Sequence, residues 1–130
     1  MQALSRTTLL ASLLLILATP ITYADYKGEL DQTQAQARIS AGTITTLDVR
    51  SEEEFTSGHV PGAINVPHNQ IETHLNQIQH LKDKPVLIYC RSGRRAAMAE
   101  TTLTALGFTQ IYHLEGDMQG WSRNQLPEEK

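Results

Sequence analysis

The sequence predicts an α/β fold, a small and mostly parallel sheet with helices on both faces. Three observations predict it. Short strand-like runs alternate with helical patterns along the chain, as βαβ units require. Val86-Leu87-Ile88-Tyr89 is apolar without alternation, which suits a strand buried on both faces of a parallel sheet. The 130 residues, 40% apolar with a formal charge of −3, have the composition of one ordinary globular domain. The same arithmetic sets limits. The charge balance is wrong for a nucleic-acid partner. A single cysteine can make neither an internal disulfide nor a cysteine-rich zinc site.

In chain order, residues 1–24 come first and read as a cleaved secretory signal. Arg6 supplies the positive start, and Leu9 to Ala18 is an almost unbroken apolar run of ten. That run is short of the ~20 residues a spanning helix needs, so no membrane anchor is expected to remain after cleavage. Pro20 breaks the segment, and Thr22-Tyr23-Ala24 offers small residues for cleavage before Asp25. The expected domain is then 25–130, with ten basic and fourteen acidic side chains. An exported protein meets an oxidising compartment (the periplasm, in a double-membraned bacterium). A lone thiol there is inert in the core, bridged to another chain, or reactive.

Asp31 caps a first helix that runs to about Ala41 and stops at Gly42. Thr43 to Val49, rich in β-branched residues, reads as a strand. Ser51-Glu52-Glu53-Glu54 is a capping box that opens a short helix ending near Gly58. Ala63 to Val66 reads as a short strand between Pro61-Gly62 and Pro67. Asn69 with Glu72 reads as the start of another helix, whose apolar face is Ile71, Leu75, Ile78 and Leu81. After the Val86–Tyr89 strand, Ala96, Ala99, Leu103 and Leu106 mark the inner face of a helix with Gly107 at its C-cap. Thr109 to Leu114 reads as the last strand. Gly116 to Asn124 reads as a terminal helical turn carrying Met118 and Trp121.

Chemistry concentrates in Cys90-Arg91-Ser92-Gly93-Arg94-Arg95. This loop leaves a strand at its carboxyl end, where open α/β sheets bind ligands. It also enters a helix N-terminus, whose first N–H groups are unpaired and whose dipole favours an anion. Gly93 lets the loop fold back on itself. Helix N-termini and neighbouring arginines favour thiolate over thiol, and the thiolate is the nucleophile. A buried structural cysteine is the plainer reading, but it would need none of the Arg, Ser and Gly residues that follow. Cys90 is therefore the candidate nucleophile, with Arg91, Ser92, Gly93, Arg94 and Arg95 as candidate anion-binding residues. Arg95 is the weakest of these because it can already belong to the helix.

Several ordered segments resemble single-domain rhodaneses of the thiosulfate sulfurtransferase type. They are Leu47-Asp48-Val49-Arg50-Ser51 with Glu54-Phe55, Gly58 to Pro67, Cys90 to Ala96, Gly107-Phe108, and Leu114 to Asp117 with Trp121. The resemblance covers about residues 28–126. It implies a rhodanese-like three-layer fold and a persulfide on Cys90. Sulfur would pass from thiosulfate to cyanide or a thiol acceptor, with no cofactor and no metal. An exported sulfur-acceptor protein is a further partner that it allows. Where the family commonly has Gly-Gly, this chain has Gly116-Asp117, a departure expected to have little bearing on catalysis.

Other residues have plainer readings. Asp48 and Arg50 lie at a strand end and could support the site, but an ion pair of Arg50 with Glu54 is the more economical expectation. His59, in a Gly-His-Val-Pro-Gly turn, is expected to make structural hydrogen bonds. His68, His74 and His80 are six residues apart and spread around a helix, which argues against a metal site. Trp121 is expected in the core or a pocket wall. Two other functions compete. A sulfur-carrying module with little turnover would have the same loop. A cysteine phosphatase would need arginine after five intervening residues, and that position holds Ala96.

Overall fold

The computed structural model describes residues 28–130. The expected signal segment lies outside them. Five strands form one sheet in the order β1-β5-β4-β2-β3: β1 (Gly28–Leu30), β2 (Thr45–Asp48), β3 (Ile64–Asn65), β4 (Val86–Tyr89) and β5 (Ile111–Leu114). Every pairing in it is parallel. The helices are α1 (Gln32–Ala41), α2 (Glu52–Ser57), α3 (Leu75–Ile78), α4 (Arg94–Ala105) and α5 (Asp117–Arg123), with a 3-10 turn at Gln79–Leu81.

The central strand β4 explains the layering. Side chains alternate across a strand, so Val86, Ile88 and the following Cys90 face one side, and Leu87 and Tyr89 the other. Ile78 of α3 and Ala96, Ala99 and Leu103 of α4 cover the first side. Ala35 of α1, and Met118 and Trp121 of α5, cover the second, with Phe55 of α2 packed against it. All four strand residues are completely buried, and each large apolar side chain contributes on the order of 2 kcal/mol by that burial. The run without alternation thus becomes the shared wall of two cores, and its carboxyl end delivers Cys90.

Local chemistry sets the helix ends. Asp31 accepts from the Gln34 N–H at 2.7 Å, and Gln34 reaches back to the Asp31 N–H. Ser51 and Glu54 form the same reciprocal box. Gly42 ends α1 at φ 68°. Helix α4 ends one residue earlier than its glycine suggests, with Leu106 as C-cap and Gly107 just beyond at φ 96°.

One expectation about the elements is corrected and one strand is added. Asn69 does not open a helix. Residues 68–74 form successive turns, with His74 N–H bonded to the carbonyls of Gln70 and Ile71, and α3 begins only at Leu75. His74 precedes it with no side-chain cap. Ile71, Ile78 and Leu81 are still buried, so the apolar spacing is satisfied by turns as well as it would be by a longer helix. The strand β1 is new. It has three residues, one a glycine, and owes its existence to pairing with β5, Gly28 opposite Tyr112.

Candidate active site

Tyr89 ends β4, and the chain turns through Cys90 to Gly93 before α4 begins. Gly93 is the N-cap at φ 110°, a left-handed conformation that favours glycine. Cys90 is 1% exposed. Its Sγ accepts the Gly93 N–H at 3.0 Å, so the loop closes around the sulfur. The start of α5 fixes the same backbone from the other side. Met118 N–H donates to the Cys90 carbonyl at 3.0 Å, and Gln119 N–H to the Arg91 carbonyl at 3.1 Å. With its carbonyls engaged by α5, the loop can offer N–H groups to an anion at the α4 N-terminus.

The three arginines part company. Arg95, the second residue of α4, makes a two-pronged pair with Glu54, Nη1 to Oε1 at 2.6 Å and Nη2 to Oε2 at 2.9 Å. The Arg95 hydrogen bonds pull the Glu54 carboxyl down to about 2, against desolvation and with help from Ser51. The Glu54 bonds in turn raise Arg95. Arg91 and Arg94 are exposed and make no ion pair among the described residues. Ser92 is exposed as well. Arg91 borders a cleft of about 820 Å³ that also meets Arg50, Arg123 and Glu128. Arg95 borders a second, of about 570 Å³, beside Phe55, His68 and His74.

Asp48 and Arg50 form a buried network, which corrects the expected Arg50–Glu54 pair. Arg50 Nη2 lies 2.6 Å from Asp48 Oδ2, and its Nε bonds both carboxylate oxygens. The remaining partners are the Gly58 carbonyl for Arg50 Nη2 and the Tyr89 hydroxyl, which donates to Asp48 Oδ2 at 2.6 Å. Burial works against the Arg50 charge, but Asp48 outweighs it and raises the guanidinium further. Burial, then the Asp48 charge, pushes the Tyr89 phenol well up. The physical reason for the exchange is depth. Arg50 is 6% exposed and needs a buried carboxylate, whereas Glu54 already serves Ser51 and Arg95. Asp48 is thus structural support beneath the cleft, and Arg50 alone reaches its wall. His59 makes the structural bond expected of it, Nδ1 to the Phe55 carbonyl at 2.8 Å. Trp121 is in the core at 1% exposure, its Nε1 donating to the Pro127 carbonyl.

The residue that sequence reasoning undervalued is Asp117. It is 3% exposed, and its Oδ1 accepts the Cys90 N–H at 3.0 Å. His113 Nε2 lies 2.9 Å from the same oxygen. The departure at Gly116-Asp117 therefore bears directly on the cysteine's backbone. The available signal was the spacing of four between His113 and Asp117. Among the described residues, no group of three or more His, Cys, Asp or Glu side chains could hold a metal ion.

A thiol held at the end of a central parallel strand, under a helix N-terminus in a three-layer α/β domain, is the architecture of a rhodanese-like domain. Residues 31–124 match the family described as Rhodanese-like domain, and the chain belongs to that family, one of sulfurtransferases. It is 36% identical over 98 residues to the uncharacterized protein YqhL of Bacillus subtilis, covering 74% of this chain and 76% of that one. It is 31% identical over 100 residues to a protein of Allochromatium vinosum named Sulfurtransferase, covering 76% and 92%. The crystal structure of a rhodanese-related protein from Thermoplasma volcanium matches with a TM-score of 0.68 at 27% identity, over 80% of this chain and 98% of that one.

Proposed function

We propose that the protein is a thiosulfate sulfurtransferase that works through a persulfide on Cys90. The Cys90 thiolate attacks the outer sulfur of thiosulfate. The sulfur–sulfur bond of thiosulfate breaks, its electron pair leaves with sulfite, and the persulfide keeps one negative charge. Cyanide or a thiolate then attacks the outer sulfur, and Cys90 departs as thiolate. The observation that carries this reading is the Gly93 N–H on Cys90 Sγ at 3.0 Å, inside a loop that begins a helix. Such a cradle stabilises negative charge on sulfur. Arg91 and Arg94, without ion-pair partners among the described residues, have guanidiniums for the sulfonate end, and Ser92 has a hydroxyl to offer. Arg95, committed to Glu54, braces the loop against α2.

Two features weigh against phosphatase chemistry. The position a phosphatase arginine would occupy holds Ala96, which is 1% exposed, and Arg95 already has a carboxylate. A sulfur-carrying role differs only in turnover. Incubation with thiosulfate should add the mass of one sulfur atom to the wild-type chain and none to Cys90→Ser. Cyanide should then remove it over many cycles. Addition of sulfur to Cys90→Ser would end the proposal, and one slow discharge would make the protein a carrier.

We further propose that residues 1–24 direct export and are removed, which places the sulfur chemistry in the periplasm of a double-membraned cell. The support is the short apolar run and the small residues before Asp25. The intact mass of the protein from its native host should begin at Asp25. A chain that retains Met1 to Ala24 would contradict this.

A further inference from the structure

The mechanism above leaves one buried charge unused. Asp117 has φ 53°, a left-handed conformation that a side-chain-bearing residue adopts at a cost. Its carboxylate is nevertheless fully placed, with Oδ1 shared between the Cys90 N–H and His113 Nε2. Oδ2 faces the loop glycine: a Cβ on Gly93 would stand 3.2 Å from it and 3.7 Å from His113 Cε1. A lone carboxylate here would oppose a thiolate, a persulfide and an anionic donor alike. His113 supplies the compensating charge. It lies on β5 opposite Glu29 of β1, whose Oε1 is 3.6 Å from Nδ1.

The groups facing His113 are therefore Asp117 from α5, Glu29 from β1 and, through Asp117, the Cys90 loop after β4. The Asp117 hydrogen bond, aided by the Asp117 and Glu29 charges, overcomes desolvation and raises His113 above its ordinary range. We propose that Asp117 and His113 are positioning residues for Cys90: their ion pair holds the loop and leaves the sulfur open to anions only while His113 carries its proton. The inference rests on Cys90 as the nucleophile, and not on thiosulfate as its donor.

Cys90 is the only cysteine, so alkylation reports on it alone. Iodoacetate is anionic and iodoacetamide neutral, and both consume thiolate, so the ratio of their rates reads the charge beside the sulfur. In the wild type that ratio should fall about tenfold as pH rises from 6.5 through the raised His113 value. His113→Gln, which keeps a donor for Asp117, should give the low ratio throughout. Asp117→Asn keeps an acceptor for the Cys90 N–H and tolerates positive φ. It should raise the ratio and move the step to lower pH, because the carboxylate that raises His113 is gone. A flat wild-type ratio, a step that persists in His113→Gln, a step that stays in place in Asp117→Asn, or no wild-type reaction with either reagent would overturn the proposal. Persulfide formation from thiosulfate, measured alongside, separates the two readings. A persulfide with a flat ratio defeats this one alone, and a stepped ratio without a persulfide defeats only the thiosulfate reading.

Discussion

Tyr89 shows how a single hydroxyl can tie the sheet to the loops above it. It donates to Asp48 Oδ2 and accepts the Val60 N–H at 3.1 Å, both inside the core. Its ring also lies 5.6 Å from the Arg50 guanidinium. Removing the hydroxyl leaves a buried N–H without a partner, a loss of about 1–3 kcal/mol. Tyr89→Phe should therefore destabilise the fold by about 2 kcal/mol in urea denaturation. A change below about 0.5 kcal/mol would mean that the Val60 N–H finds another acceptor. Asp48 keeps Arg50 in that variant, so the cleft wall should persist and sulfur transfer should fall far less than stability does.

At the scale of elements, what could be read from the sequence was whatever local chemistry decides. The two capping boxes are complete within four residues each, Asp31 with Gln34 and Ser51 with Glu54. The central strand is legible because burial on both faces removes its alternation. The candidate loop stands out in the sequence because strand end, cysteine, glycine and arginines are contiguous. What escaped depends on partners distant in sequence. β1 has only three residues and is held by a strand more than eighty positions away. Arg50 has four carboxylates within four residues, Asp48, Glu52, Glu53 and Glu54, and only depth decides that Asp48 takes it. Asp117 lies 27 positions from Cys90. It acquires meaning only when α5 docks on the loop, so a turn residue that looked incidental becomes part of the site. The segment before α3 failed for another reason. Its apolar period is real, but a period specifies which side chains are buried and leaves turns as an alternative to helix.

For the whole molecule, the two pairs that brace the loop predict a stability that declines on both sides of neutrality. Glu54 titrates at about 2 in the fold against 4.5 ordinarily. A carboxyl lowered in this way stabilises the folded state fully above the ordinary value and loses that contribution as pH falls from 4.5 toward 2. The Glu54 side chain is 32% exposed, so solvent screening holds the contribution to on the order of 1 kcal/mol. His113 has the opposite sign. Its value is raised in the fold, first by the Asp117 bond and further by the Asp117 and Glu29 charges against desolvation. That contribution is complete below the ordinary value of 6.5 and disappears as pH rises through the raised one. Urea midpoints measured across pH should show both limbs in the wild type. Glu54→Gln should flatten only the acid limb within the window from 4.5 to 2, and His113→Gln only the limb above 6.5. An alkaline limb that survives His113→Gln would place the responsible proton elsewhere and separate the stability of the loop from the charge proposed to act on its sulfur.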